Sequence, residues 1–274
     1  MSDGARVVDT ADVGSPTEDL LLEAVDITMR FGGVTALEDV SLQVPADQII
    51  GLVGPNGAGK TTLFGVLSGL LRPRSGSVLM NGSDVTSRSP QHRAHLGLSR
   101  TFQRLELFSE LTVREHLVVA RRVKRKRHNF FFDLTGFGER SDSDEAEAVD
   151  ATMELLGLAD VAEQPATAVP LGTGRLVEVG RALAAEPTVV LLDEPSSGLD
   201  EHETAQLADA LRRVRADRGT SFVLVEHNVD LVLDLSDRVT VLDFGRVLTE
   251  GTPTEIRNSP EVQAAYFGAP VETP

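Results

Sequence analysis

The apolar positions of the chain change period several times, and each change predicts an element. Between Leu20 and Val44 the spacing is close to two: Leu22, Val25 and Ile27, then Val40, Leu42 and Val44, with Gly32-Gly33 between them. This predicts short alternating strands joined by a tight turn. Ile49, Ile50, Leu52 and Val53 form a nearly continuous apolar run, as in a strand covered on both faces. Past an interval rich in glycine, Leu63, Phe64, Val66, Leu67, Leu70 and Leu71 recur at helical spacing. Arg72 to Gly76 reads as a turn, and Ser77 to Met80 with Asn81-Gly82 as a further strand and tight turn.

The rest of the chain alternates helix and strand. A helix is predicted from Val113 to Val123, then an acidic linker from Glu139 to Glu147, then a helix carrying Val149, Met153 and Leu156 and closed by Gly157. Val177, Val179, Ala182 and Leu183 mark another helix before Pro187. Val189 to Leu192 is a strand apolar on both faces that ends in Asp193-Glu194-Pro195. Leu207, Leu211 and Val214 give an amphipathic helix, and Phe222 to Val225 a strand ending in Glu226-His227. Such alternation predicts an α/β fold with a sheet wound by helices.

The interval between the first buried strand and its helix is Gly54-Pro55-Asn56-Gly57-Ala58-Gly59-Lys60-Thr61-Thr62. It has the pattern of a phosphate-binding loop. Glycines permit a tight turn whose N–H groups converge on an anion, Lys60 adds positive charge, and the following helix brings its positive end to the phosphates. Thr61 offers a hydroxyl to Mg²⁺. Asp193 and Glu194 stand at the carboxyl end of a buried strand, where open α/β sheets bind ligands. The first can hold Mg²⁺ through a water; the second can orient or deprotonate an attacking water. His227 follows a strand of the same type, which favours a functional role. Phe31, upstream of the loop, is either a base-stacking aromatic or a core residue at a strand end.

With 274 residues, 41% of them hydrophobic, the chain can bury a full core in one large or two unequal domains. No apolar run reaches the ~20 residues of a membrane helix. Residues 1–19 are polar, without an apolar segment, and read as a disordered leader rather than a secretory signal. The absence of cysteine suits a reducing cytosol. A net charge of −16 argues against nucleic acid as a partner. Arg121-Arg122-Val123-Lys124-Arg125-Lys126-Arg127 with Phe130-Phe131-Phe132 is a local exception, open to two readings: a surface for lipid headgroups or an acidic partner, or a solvated face.

Taken together, these stretches resemble an ATP-binding cassette (ABC) ATPase over nearly everything from Leu20 to Gly268. The resemblance implies a phosphate-loop NTPase core of ABC type with an antiparallel β subdomain and a helical subdomain inserted at about 104–180, followed by a tail at 269–274. It assigns ATP and Mg²⁺ to Gly54 through Thr62, with Thr61, Gln103 and Asp193 on the metal side. Glu194 becomes the catalytic glutamate, His227 the γ-phosphate histidine, Phe31 the adenine-stacking aromatic, and Ser196-Ser197-Gly198-Leu199-Asp200 the loop that crosses to a second ATPase subunit. Ser99-Arg100-Thr101-Phe102-Gln103, the long insert after Val119 and the ending Gly251 to Ile256 with Pro260-Glu261-Val262 and Tyr266-Phe267-Gly268 are similar to the ATPase subunits of branched-chain amino acid importers. Relatives of that branch carry urea or short amides, and the ATPase of lipopolysaccharide export shares the front half. The partners implied are a second ABC ATPase and transmembrane permease subunits, at the cytoplasmic face of the membrane, with no contact to the transported solute.

One motif departs from the family pattern. Anchored without a gap on Glu178 to Leu183, the signature L-S-G-G-Q falls on Val169-Pro170-Leu171-Gly172-Thr173, where only Gly172 is kept and the serine is replaced by Pro170, which has neither hydroxyl nor N–H. A shifted frame, Leu171 to Arg175, holds more glycine but shortens the link to the helix. The weakened signature motivates an alternative function, an ATP-dependent regulatory clamp with little hydrolysis; Glu194 and His227 argue against it.

Overall fold

The computed structural model describes residues 19–101, 105–125 and 139–267, with side chains at 123–125, 139–143 and 265–267 left aside. Gln103, Phe102, Lys126, Arg127, Phe130 to Phe132, Gly268, residues 1–18 of the expected leader and the expected tail lie outside the described residues.

The chain opens with two long strands, β1 (Leu20–Phe31) and β2 (Val34–Pro45), paired antiparallel around Gly32-Gly33. With β4 (Ser75–Met80) and β5 (Ser83–Asp84) they form a sheet of order β2-β1-β4-β5. Within β1 the alternation of buried positions breaks after Ala24. Val25 was expected to face inward with Leu22 and Ile27, but it is exposed, because the register of β1 against β2 shifts between Ala24 and Ile27 and Asp26 takes a positive φ of 49°. A bulge there turns Ala24 and Ile27 to the core and sends Val25 to solvent.

The second sheet contains β3 (Ile49–Val53), β6 (Leu98–Arg100), β7 (Val189–Asp193), β8 (Ser221–Val225), β9 (Arg238–Asp243) and β10 (Arg246–Gly251), in the order β10-β9-β3-β8-β7-β6. All pairs are parallel except the β9–β10 hairpin. The continuous apolar runs have a direct explanation here. Ile49, Val53, Val190, Leu192, Phe222 and Leu224 enter one core, while Ile50, Leu52, Val189, Leu191, Val223 and Val225 enter another. Alternate side chains point to opposite faces, and each face is covered. The first core is closed by α3 (Val113–Arg125), α4 (Glu139–Leu156), α5 (Leu171–Leu183), α6 (Glu201–Arg218) and α7 (Val229–Leu235); the second holds α1 (Lys60–Leu67) and the antiparallel sheet.

Three expectations are corrected. The acidic run Glu139 to Glu147 is not a linker but the first half of α4, since Glu sits comfortably in helices and acidic residues suit a helix's positive end. Helix α1 stops at Leu67, and Leu70 is exposed. The turn beyond it brings Gly69 to a φ of 81°, where the fully buried Arg93 of α2 (Pro90–His95) donates to the Val66 and Leu67 carbonyls at 2.7 and 2.6 Å and closes the helix end. Ser75 and Gly76, read as turn, belong to β4.

Candidate functional site

Four chain segments meet at the carboxyl ends of the parallel strands. Strand β3 runs into the glycine-rich loop, β7 into Asp193-Glu194, β8 into Glu226-His227, and β6 ends at Arg100 beside β7.

The loop's conformation depends on glycine. Gly54, Gly57 and Gly59 have φ of 157°, 85° and 105°. A Cβ on Gly54 would lie 2.2 Å from the Leu242 carbonyl oxygen, and one on Gly59 2.8 Å from that of Ala36. A Cβ on Gly57 would meet nothing within 4 Å, so that side of the residue is open. Gly59 caps α1 in the left-handed region without a side-chain hydrogen bond, and the first N–H groups of the helix have no partner within the helix. Lys60 is buried; its Nζ donates to the Gly54 and Pro55 carbonyls at 2.5 and 3.1 Å. Burial lowers its pKa, opposed by the nearby charges of Glu194 and Asp193. A glycine-rich turn leading into the start of a helix, with a buried ammonium at its edge, is a receptor for a phosphate chain.

Across the loop, Asp193 is 4% exposed and its Oδ2 accepts from Arg100 Nη2 at 2.9 Å. Arg100 also donates to Ser68 Oγ at 3.2 Å and lies over the Phe64 ring, 5.8 Å from its centroid. Glu194 has a positive φ of 50°, its N–H donates to the Val225 carbonyl at 2.8 Å, and its Oε1 meets His227 Nε2 at 2.8 Å. The sequence placed these two residues on separate strands; the parallel pairing of β7 with β8, in which Asp193 stands beside Val225, puts them together. Phe31 ends β1 and is 48% exposed, which removes the core-residue alternative. Sequence reasoning missed Arg100 as a charge partner and Glu226 altogether. No sequence signal marked Arg100; Glu226 stood at a strand end like Asp193 but was given no role, and it is buried, accepts from Ser196 N–H at 2.6 Å and has its pKa raised chiefly by burial.

The signature frame straddles the start of α5, with Pro170 as its N-cap and no side-chain cap hydrogen bond. Another residue takes that place. Glu203, in the first turn of α6, accepts the Gly172 N–H at 3.1 Å while also closing a capping box with Asp200, so a carboxylate meets the positive end of α5. In the basic cluster, Arg121 pairs with Glu186 at 2.9 Å and Arg122 with Glu145 at 2.8 Å; these two arginines are engaged within the chain.

Comparison with known proteins places this arrangement. A family model described as "ABC transporter" matches residues 37–197, and one described as "Branched-chain amino acid ATP-binding cassette transporter" matches residues 246–272. The chain is 37% identical to the Escherichia coli K12 high-affinity branched-chain amino acid transport ATP-binding protein LivG, over 90% of this chain and 98% of that protein. It is 32% identical to the lipopolysaccharide export ATP-binding protein LptB of Haemophilus influenzae, over 90% and 97%. A crystal structure of an ATP-binding cassette of an ABC transporter in its ADP conformation matches with a TM-score of 0.79 at 28% identity, covering 91% of this chain and 99% of the other. The loop, the two strand-end acidic and histidine positions, and the wound parallel sheet therefore have one explanation: the chain belongs to the ABC transporter family of ATP-binding proteins.

Proposed function

We propose that this chain is the ATP-hydrolysing subunit of an importer of branched-chain amino acids or related small polar solutes, acting with a second ABC ATPase and with permease subunits that alone contact the solute. What supports hydrolysis is the Glu194–His227 contact of 2.8 Å beside the buried Lys60. The importer branch is supported by the higher identity to LivG than to LptB and by the tail match at residues 246–272.

In this reading the N–H groups of Gly57 to Thr62 and Lys60 hold the β- and γ-phosphates, and Phe31 stacks on the base. Glu194 orients the attacking water and takes up its proton; His227 fixes the Glu194 carboxylate and, being 54% exposed, is free to reach the γ-phosphate. Thr61 and Asp193, a hydroxyl and a carboxylate, fit Mg²⁺ as oxygen donors, and the Asp193 carboxylate already pairs with a cation, Arg100. Mg²⁺ would neutralise phosphate charge there, with Gln103 as a further ligand. The cytoplasmic face of the membrane is the corresponding location.

The test is Glu194→Gln in the complex reconstituted with permease and partner ATPase in vesicles. An amide can hold the water but not accept its proton, so ATP binds and stays while phosphate release and leucine uptake stop. Normal turnover would remove Glu194 from its role, and ATPase without uptake of any branched-chain amino acid would remove the substrate assignment.

A further inference from the structure

Glu226 is the one buried carboxylate at this site that the hydrolytic reading does not use. It stands where β8 ends, 4% exposed, and it accepts from two backbone N–H groups and from the Ser196 side chain. Oε1 accepts from Ser196 at 2.6 Å, and Oε2 from His227 at 3.2 Å. Ser196 is the second residue after Glu194; His227 carries the imidazole that touches Glu194. One carboxylate thus bonds the backbone of both loops that bring the reacting side chains together.

The backbone at Glu194 shows why such a tie is needed. A glutamate at φ 50° is in a left-handed region that L-residues avoid, and Pro195 behind it narrows the choice further. Strain of this kind persists only where the surroundings impose it. The restraints come from the end of β8: the Glu194 N–H on the Val225 carbonyl at 2.8 Å, and Glu226 on the Ser196 N–H just past the proline. The second is a side-chain tie from β8 to the chain just beyond the proline. Burial lifts the Glu226 carboxyl above its ordinary range, opposed by the hydrogen bonds from the Ser196 side chain and from the Ser196 and His227 N–H groups, while the charge of Glu194 adds to the rise.

We infer that Glu226 is a positioning residue for ATP hydrolysis, a clasp that fixes the Ser196–Asp200 loop to the His227 loop so that Glu194 and His227 meet. The inference rests on the reading of this site as an ATPase. It separates two roles that look alike in a static structure. A side chain that merely fills space is replaced well by isosteric glutamine, which removes a buried charge. A clasp is not, because glutamine has one acceptor oxygen and turns an NH₂ group towards a backbone N–H.

The experiment compares Glu226→Gln and Glu226→Asp with the unsubstituted chain in the assembled complex, measuring kcat and KM for ATP, binding of a fluorescent ATP analogue, and the melting temperature. The expected result is a kcat lower by about tenfold or more with KM and analogue affinity within about threefold, the split that marks an interaction lost at the transition state. Aspartate, a methylene short of spanning both N–H groups, falls in the same direction and serves alone if glutamine prevents folding. Wild-type kcat in either folded variant, or equal losses in kcat and analogue binding, overturns the inference. ATPase absent from the unsubstituted complex overturns the hydrolytic reading and the inference with it; ATPase present there and unchanged in the variants overturns the inference alone.

Discussion

Replacing Arg100 by glutamine isolates the cost of leaving Asp193 without its cation. The pair is well buried, with side-chain exposures of 16% and 4%. Removing one partner of a buried ion pair costs about 3–5 kcal/mol, because the remaining charge stays out of water unpaired. Loss of the stacking of Arg100 over Phe64 adds about 0.5–1 kcal/mol. Two features reduce the sum: the glutamine amide can still donate one hydrogen bond to Asp193, and the Lys60 ammonium remains within electrostatic reach. A net loss of about 3 kcal/mol follows from these terms. Urea unfolding of the isolated chain without nucleotide measures it. A second arm adds ATP with Mg²⁺, which under the proposed function supplies Asp193 with a new cation, so the gap between variant and parent should narrow. A loss below about 1 kcal/mol, the scale of an exposed ion pair, would show that Arg100 does not hold Asp193 in solution. An unchanged gap with Mg²⁺ and ATP would remove Asp193 from the metal side.

Lys60→Ala keeps the N–H groups of the loop but removes the ammonium that faces the phosphates, and affinity for a fluorescent ATP analogue should fall by far more than about tenfold; wild-type affinity would refute the loop assignment. His116 of α3 is 1% exposed, its Nδ1 lies 2.8 Å from the Thr112 carbonyl oxygen and its Nε2 accepts the Phe108 N–H at 2.9 Å, an arrangement that requires the neutral ring. Burial lowers its pKa below the usual 6.5, and the charge of Arg181 adds to this. The unfolded chain therefore takes up a proton before the folded one does, and stability should fall as pH drops through about 6.5 towards the lowered folded value. In His116→Asn the stability measured by urea between pH 7 and 5 should be less sensitive to pH; an identical slope would show that this ring does not set it.

The sequence alone carried the chemistry that is local. A phosphate loop needs its glycines, lysine and threonine consecutively between a strand and a helix, so Gly54 to Thr62 were legible in one dimension. The strands before Asp193 and His227 were legible too, since a strand buried on both faces must be apolar at every position. What the sequence could not give was lateral order. Nothing in the runs 189–192 and 222–225 says that they are neighbours; hydrogen-bond pairing of β7 with β8 decides that, and with it the meeting of Glu194 with His227 and of Glu226 with Ser196. Arg100 and Asp193 are likewise far apart in the chain and adjacent only because β6 lies beside β7. Charge is a poor guide for the same reason. The acidic run at 139–147 reads as a solvated linker until a core exists for Val149, Met153 and Leu156 to enter, and Arg121 and Arg122 read as a free basic patch until the fold brings Glu186 and Glu145 to them. Periodicity reports which side chains must leave water; which of the buried and charged groups then face each other is settled by strand order and helix packing, which depend on contacts remote in sequence.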